Sequence, residues 1–133
     1  MAKSSKYFTE KEYACPCCGE SDMDDNFVER LDSLRWKINR PLILNSAYRC
    51  DKKNEEVGGV KGSAHTKGLA VDIKCNNSQE RYQLLKWAYG LGFSGIGIAD
   101  TFIHIDDKKG DPRPNSWLYS KWHEMDNCTL DVL

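Results

Sequence analysis

The chain has 133 residues, 40% hydrophobic and 29% charged, which fits one globular domain and excludes a disordered chain. Its 19 Lys and Arg against 20 Asp and Glu leave a net charge of −1, which argues against a nucleic-acid binder working by phosphate neutralisation. No apolar run approaches the ~18 residues of a membrane span, and the N-terminal stretch has no signal-peptide core, so a cytoplasmic chain with reduced thiols and no membrane partner is expected.

The N-terminal stretch runs to Gly19 and holds the cluster Cys15-Pro16-Cys17-Cys18-Gly19. From Asp24-Asp25 to about Asn39 the spacing predicts an amphipathic helix. Its stripe is Phe27, Leu31, Leu34 and Ile38, spaced by four, three and four. Early acids and late Lys37 and Arg40 suit the helix dipole, and Pro41 closes the helix. Leu42-Ile43-Leu44 reads as a short buried strand. Residues 51 to 64 are polar and Gly-rich, a loop with room for one helical turn. Leu69 to Ile73 alternates as a strand does. A second helix is predicted from about Ser78 to Leu91, capped by Asn77 or Ser78, with Leu84, Trp87, Ala88 and Leu91 as its apolar face. Gly95–Ile98 and Phe102–Asp106 read as two strands around a turn at Ala99 to Thr101. The tail, with Pro112, Pro114, Trp117, Tyr119 and Trp122, reads as an irregular cover with one edge strand. The sum is a single α+β domain over residues 1–133, a small sheet with flanking helices.

Of the three His, two sit in informative surroundings. His65 and Asp72 are seven residues apart, which on one continuous helix would separate them by about 10 Å along the axis. A shared metal, with donors at about 2.0–2.2 Å, therefore needs the chain to fold back between them. Gly68 is the residue that permits such a turn. On the later strand Ile103 and Ile105 point one way, while Phe102, His104 and Asp106 point the other. Two imidazoles and one carboxylate make a zinc set with the fourth position open to water, the catalytic pattern.

Five stretches carry a resemblance: Ser46-Ala47-Tyr48-Arg49; Asn54 with Val57-Gly58-Gly59; Ser63-x-His65-x-x-Gly68-x-Ala70-x-Asp72; Gly95-Ile96-Gly97-Ile98; and Phe102-Ile103-His104-Ile105-Asp106. Together they resemble the zinc D-Ala-D-Ala carboxypeptidase and L-Ala-D-Glu endopeptidase family, which has the hedgehog/DD-peptidase fold and its mainly antiparallel sheet. The likeness covers about residues 7–120, and the opening Phe8 to Gly19 is similar to compact phage lysins. The resemblance implies a zinc peptidase acting on peptidoglycan stem peptides, an endolysin that accumulates in the cytoplasm before release to the wall. The alternatives are a carboxypeptidase or dipeptidase of wall recycling and a non-catalytic zinc-binding module. By position His65, Asp72 and His104 match the ligands of one catalytic Zn2+. Arg49 matches an Arg that holds the substrate and stabilises the tetrahedral intermediate; its plain alternative is a surface ion pair.

The family's general-base position, three residues before the last His, is Thr101 here. Two carboxylates compete for that role. Asp106 lies about 7 Å along the strand from His104 on the same face, which favours it. Asp100 sits in the turn and reaches the site only if the loop bulges. Ser63 is assigned to substrate binding, with loop shaping as its alternative. His123 is expected at the surface or in packing. Cys15 and Cys18 form one Cys-x-x-Cys half-site, but a structural zinc needs four ligands, and Cys50, Cys75 and Cys128 are single and widely spaced. Buried thiols, or one disulfide after oxidation, are favoured over a second zinc. No leftover apolar face suggests an oligomer, so a monomer is expected.

Overall fold

Apolar side chains recur every three to four residues in two stretches and every second residue in three others, and these two periods build the two layers of the fold. The computed structural model describes residues 5–119. The first long helix, α2 (Asp25–Ile38), follows a short α1 (Glu10–Tyr13). Asp24 caps α2 by accepting from Phe27 N at 3.0 Å, and Asn39 closes it in the left-handed region at φ 59°. The stripe is buried as predicted: Phe27, Leu31 and Leu34 are inaccessible, and Ile38 packs at the margin. The second, α4 (Ser78–Gly90), is capped by Asn77 and buries Leu84 and Ala88.

The strands are β1 (Leu44–Ser46), β2 (Ala70–Lys74), β3 (Gly95–Ile98), β4 (Phe102–Asp106) and β5 (Asn115–Leu118). They form one sheet in the order β1-β2-β4-β3-β5. All neighbours are antiparallel except β3 and β5, which run parallel. This is the small, mainly antiparallel α+β sheet the sequence suggests. Val71, Ile73, Ile96, Ile103 and Ile105 face α2 and α4 and form the core with their buried residues. The alternate positions, Asp72, His104 and Asp106, lie on the other face.

Two elements differ from expectation. The first strand begins at Leu44 rather than Leu42, because the apolar run is not uniformly part of the ladder: Leu42 is buried in the core ahead of it, and Ile43 is exposed. The polar loop also holds more helix than expected, namely α3 (Asp51–Glu56) and a 3₁₀ turn at Ala64–Lys67. Only Asn54 of α3 is buried, so no apolar stripe betrays that helix. The predicted edge strand is β5; Trp122, His123 and Cys128 lie outside the described residues. Among the described residues, no helix is long and apolar enough to cross a membrane.

Candidate metal centre and its cleft

The register of the sheet places the site. Ser46, Asp72, His104, Gly97 and Trp117 are successive cross-strand partners over all five strands. Asp72 and His104 are thus direct neighbours on the face away from the helices. His65 reaches them from the 3₁₀ turn. Ser63 caps that turn, its Oγ accepting from His65 N at 3.2 Å. Gly68 ends the turn at φ 70°, and a Cβ there would collide with the backbone of Asp22 and Met23. Only glycine makes this fold-back, and the fold-back brings His65 over Asp72.

Donor atoms of His65, Asp72 and His104 all lie within 4.8 Å of one another. Asp72 Oδ1 is 3.3 Å from His65 Nε2 and 2.9 Å from His104 Nδ1. Tetrahedral zinc with donors at about 2.1 Å would space them by about 3.4 Å, so the set fits one ion after small adjustments. The outer nitrogens are occupied. His65 Nδ1–H donates to Ala47 O at 2.7 Å, and His104 Nε2–H donates to Asp106 Oδ2 at 2.7 Å. Each bond holds the ring from behind, so that the inward nitrogen, once it gives up its proton, could serve as a lone-pair donor to an ion, the arrangement that orients histidine ligands.

Charge is concentrated and buried here. Burial pushes the Asp72 carboxyl up, but hydrogen bonds with His104 and His65 outweigh it and hold the group well below the usual carboxylate range. Asp106 behaves likewise: burial raises it, and His104 and Arg113 together bring it well below that range. Burial lowers His104, yet its bonds with Asp106 and Asp72 leave its pKa above that of an ordinary histidine. Burial pushes the Tyr119 phenol up, with the Asp72 charge adding to it, so Tyr119 stays protonated.

The cleft has a volume of about 650 Å³, and Arg49, Ser63, His65, Asp72, His104 and Asp106 all line it. The proton-acceptor reading of Asp106 meets a geometric objection. Its Oδ2 takes His104 Nε2 and Arg113 Nη2 (2.9 Å), and its Oδ1 takes Arg113 Nε (3.2 Å) and Lys108 N (3.1 Å). Both oxygens are thus engaged, and Asp106 stands outside the cluster of His65, Asp72 and His104. Asp100 does not line the cleft; its carbonyl accepts from Arg81 in the turn between β3 and β4. Ser63 lines the cleft, but its hydroxyl is engaged as the cap of the His65 turn. Arg49 is no surface residue: it donates to Ser46 Oγ (3.1 Å), Asn54 Oδ1 (3.2 Å) and Asp72 Oδ2 (3.4 Å).

Sequence reasoning missed Arg113, which neutralises Asp106 and lies over Trp117, its guanidinium carbon 4.9 Å from the ring centre. No spacing rule marks an Arg in an irregular tail. Trp117 and Tyr119 wall the cleft beside His104, at ring separations of 5.4 and 6.5 Å.

The profile of the Peptidase M15 family matches residues 6–106, which include both His, both Asp and Arg49 of the site. The chain belongs to that family. No curated protein sequence matches it. Family membership makes the chain a peptidase, and the M15 match spans everything from α1 to the end of β4.

Proposed function

We propose that this M15 peptidase is a zinc enzyme that hydrolyses peptide bonds in peptidoglycan stem peptides, of the compact endolysin type, acting on the wall after release from the cytoplasm. The observation that carries the reading is the inward convergence of two imidazoles and one carboxylate in an open cleft, each imidazole held from behind. His65 Nε2, His104 Nδ1 and Asp72 Oδ1 would hold one Zn2+. When bound, the ion supplies a polarised carbonyl and a water whose pKa is lowered to about 7.

The other side chains prepare the cleft for a charged transition state. Arg49 uses three of its five N–H groups on Ser46, Asn54 and Asp72, which fixes its plane; the remainder serve the substrate carbonyl or carboxylate. The protonated Tyr119 phenol offers a second donor where negative charge builds on oxygen. Asp106 is a positioning residue: it keeps the His104 proton on Nε2 so that Nδ1 faces the ion. Trp117 and Phe102 give the cleft an apolar wall for the aliphatic part of a stem peptide.

Digestion of purified peptidoglycan by zinc-loaded protein, with and without chelator, tests the proposal. Internal stem fragments that vanish with chelator are expected. Release of free D-Ala alone would replace the endopeptidase reading with the carboxypeptidase one. Intact peptidoglycan with zinc bound would leave a binding module.

A further inference from the structure

Cysteines that the peptidase reading leaves unused come together beside Arg49. Residues 15–19 form a tight knuckle: Cys15 N donates to Glu20 O at 2.7 Å and Gly19 N to Cys15 O at 2.8 Å. Cys50 arrives from a point 35 residues later as the N-cap of α3. The sulfurs of Cys15, Cys18 and Cys50 all lie within 4.8 Å of one another. Cys17, exposed on the same knuckle, lies outside that set of three. Two backbone N–H groups point at the cluster, Cys50 N at Cys15 Sγ (3.5 Å) and Lys53 N at Cys50 Sγ (3.4 Å), as anionic sulfur requires.

The spacing suits a metal. Cys15 Sγ and Cys50 Sγ are 3.7 Å apart. Four thiolates at about 2.3 Å from a tetrahedral zinc stand about 3.8 Å from each other. A disulfide would bring the two sulfurs to about 2.05 Å. The sequence shows one half-site and a distant single cysteine; the fold supplies the missing partner. We propose that Cys15, Cys18 and Cys50 hold a second, structural Zn2+, separate from the His65–Asp72–His104 set, with Cys17 turning in from the same knuckle as the fourth ligand. The ion ties the N-terminal segment to the residue next to Arg49. The same junction is bonded once by backbone, Tyr48 N to Tyr13 O at 3.1 Å. A clip there closes a long loop and fixes where the Arg49 side chain starts.

The test is metal content and the Co2+ spectrum of the full chain, purified under reducing conditions. Two ions per chain are expected, with intense thiolate-to-cobalt charge-transfer bands in the near ultraviolet. Cys50→Ser keeps an oxygen cap for α3, so the helix start survives. It should lose one ion and the charge-transfer bands while keeping the other ion. His65→Ala should lose one ion and keep the bands, which separates this site from the peptidase site. Cys17→Ser should release the thiolate-bound ion first when a chelator competes. One ion per chain without charge-transfer bands would overturn the proposal, as would two ions retained by Cys50→Ser. Undiminished retention in Cys17→Ser would overturn the four-thiolate form.

Discussion

Asp106→Asn keeps an oxygen to accept the His104 Nε2 proton and removes the negative charge behind it. If Asp106 orients and enriches the ligand, zinc affinity falls about 10- to 100-fold and activity returns when zinc is raised. Metal-competition assays beside peptidase rates decide this: unchanged affinity with lost turnover would make Asp106 the proton acceptor after all. Arg49→Lys tests a different property. Lysine keeps the charge but loses the planar fork that Ser46, Asn54 and Asp72 hold. Turnover should fall about 100- to 1,000-fold, the usual cost of one oxyanion donor, with zinc content unchanged. A rate within a few-fold of the unaltered protein would return Arg49 to an ion-pairing role.

At the scale of elements, β3 shows why the strand is written Gly-Ile-Gly-Ile. Ile96 faces the core, while Gly97 lies on the cleft side in the row of His104. A Cβ on Gly97 would sit 2.7 Å from Tyr119 Cε2 and 2.8 Å from Trp117 Nε1. Gly97→Ala should therefore displace the aromatic wall and lower peptidase activity with little change in zinc content. Activity equal to the unaltered protein would show that the wall does not shape the substrate path. Leu31→Ala, on the helix side of the sheet, should cost about 2–5 kcal/mol in urea unfolding and leave the site chemistry intact. These two faces also explain what the sequence disclosed. Period-four and period-two spacing of apolar residues marks α2, α4, β2, β3 and β4 directly, and the same alternation puts Asp72 and His104 on one face. The 3₁₀ turn of His65 was legible through Gly68, whose freedom the fold-back needs. By contrast α3 has no apolar stripe, and Leu42 imitates a strand position because burial and pairing are separate demands. The use made of Asp106 was hidden for a similar reason: Arg113 folds back from the irregular loop between β4 and β5, and no local pattern announces it.

For the whole molecule, the buried charges of the cleft make stability depend on both pH and metal. In the metal-free chain Asp72 and Asp106 are held below the ordinary carboxylate range, so their contribution is present above about pH 3.9 and is lost as pH falls further. His104 is raised, so its contribution is complete below about pH 6.5 and disappears as pH rises through its folded value. The chelated protein should then resist urea best between about pH 4 and 6.5. Zinc reverses the upper limit, because His104 must give up its Nδ1 proton to bind the ion. The gap in urea midpoint between zinc-loaded and chelated protein should widen as pH rises from 5 to 8. The measurement belongs in the Cys50→Ser chain, where thiolate protons do not add to the effect. Midpoint curves that run parallel across that range would mean that His104 does not exchange its proton for the metal, and the inward-facing donor set would lose its central member.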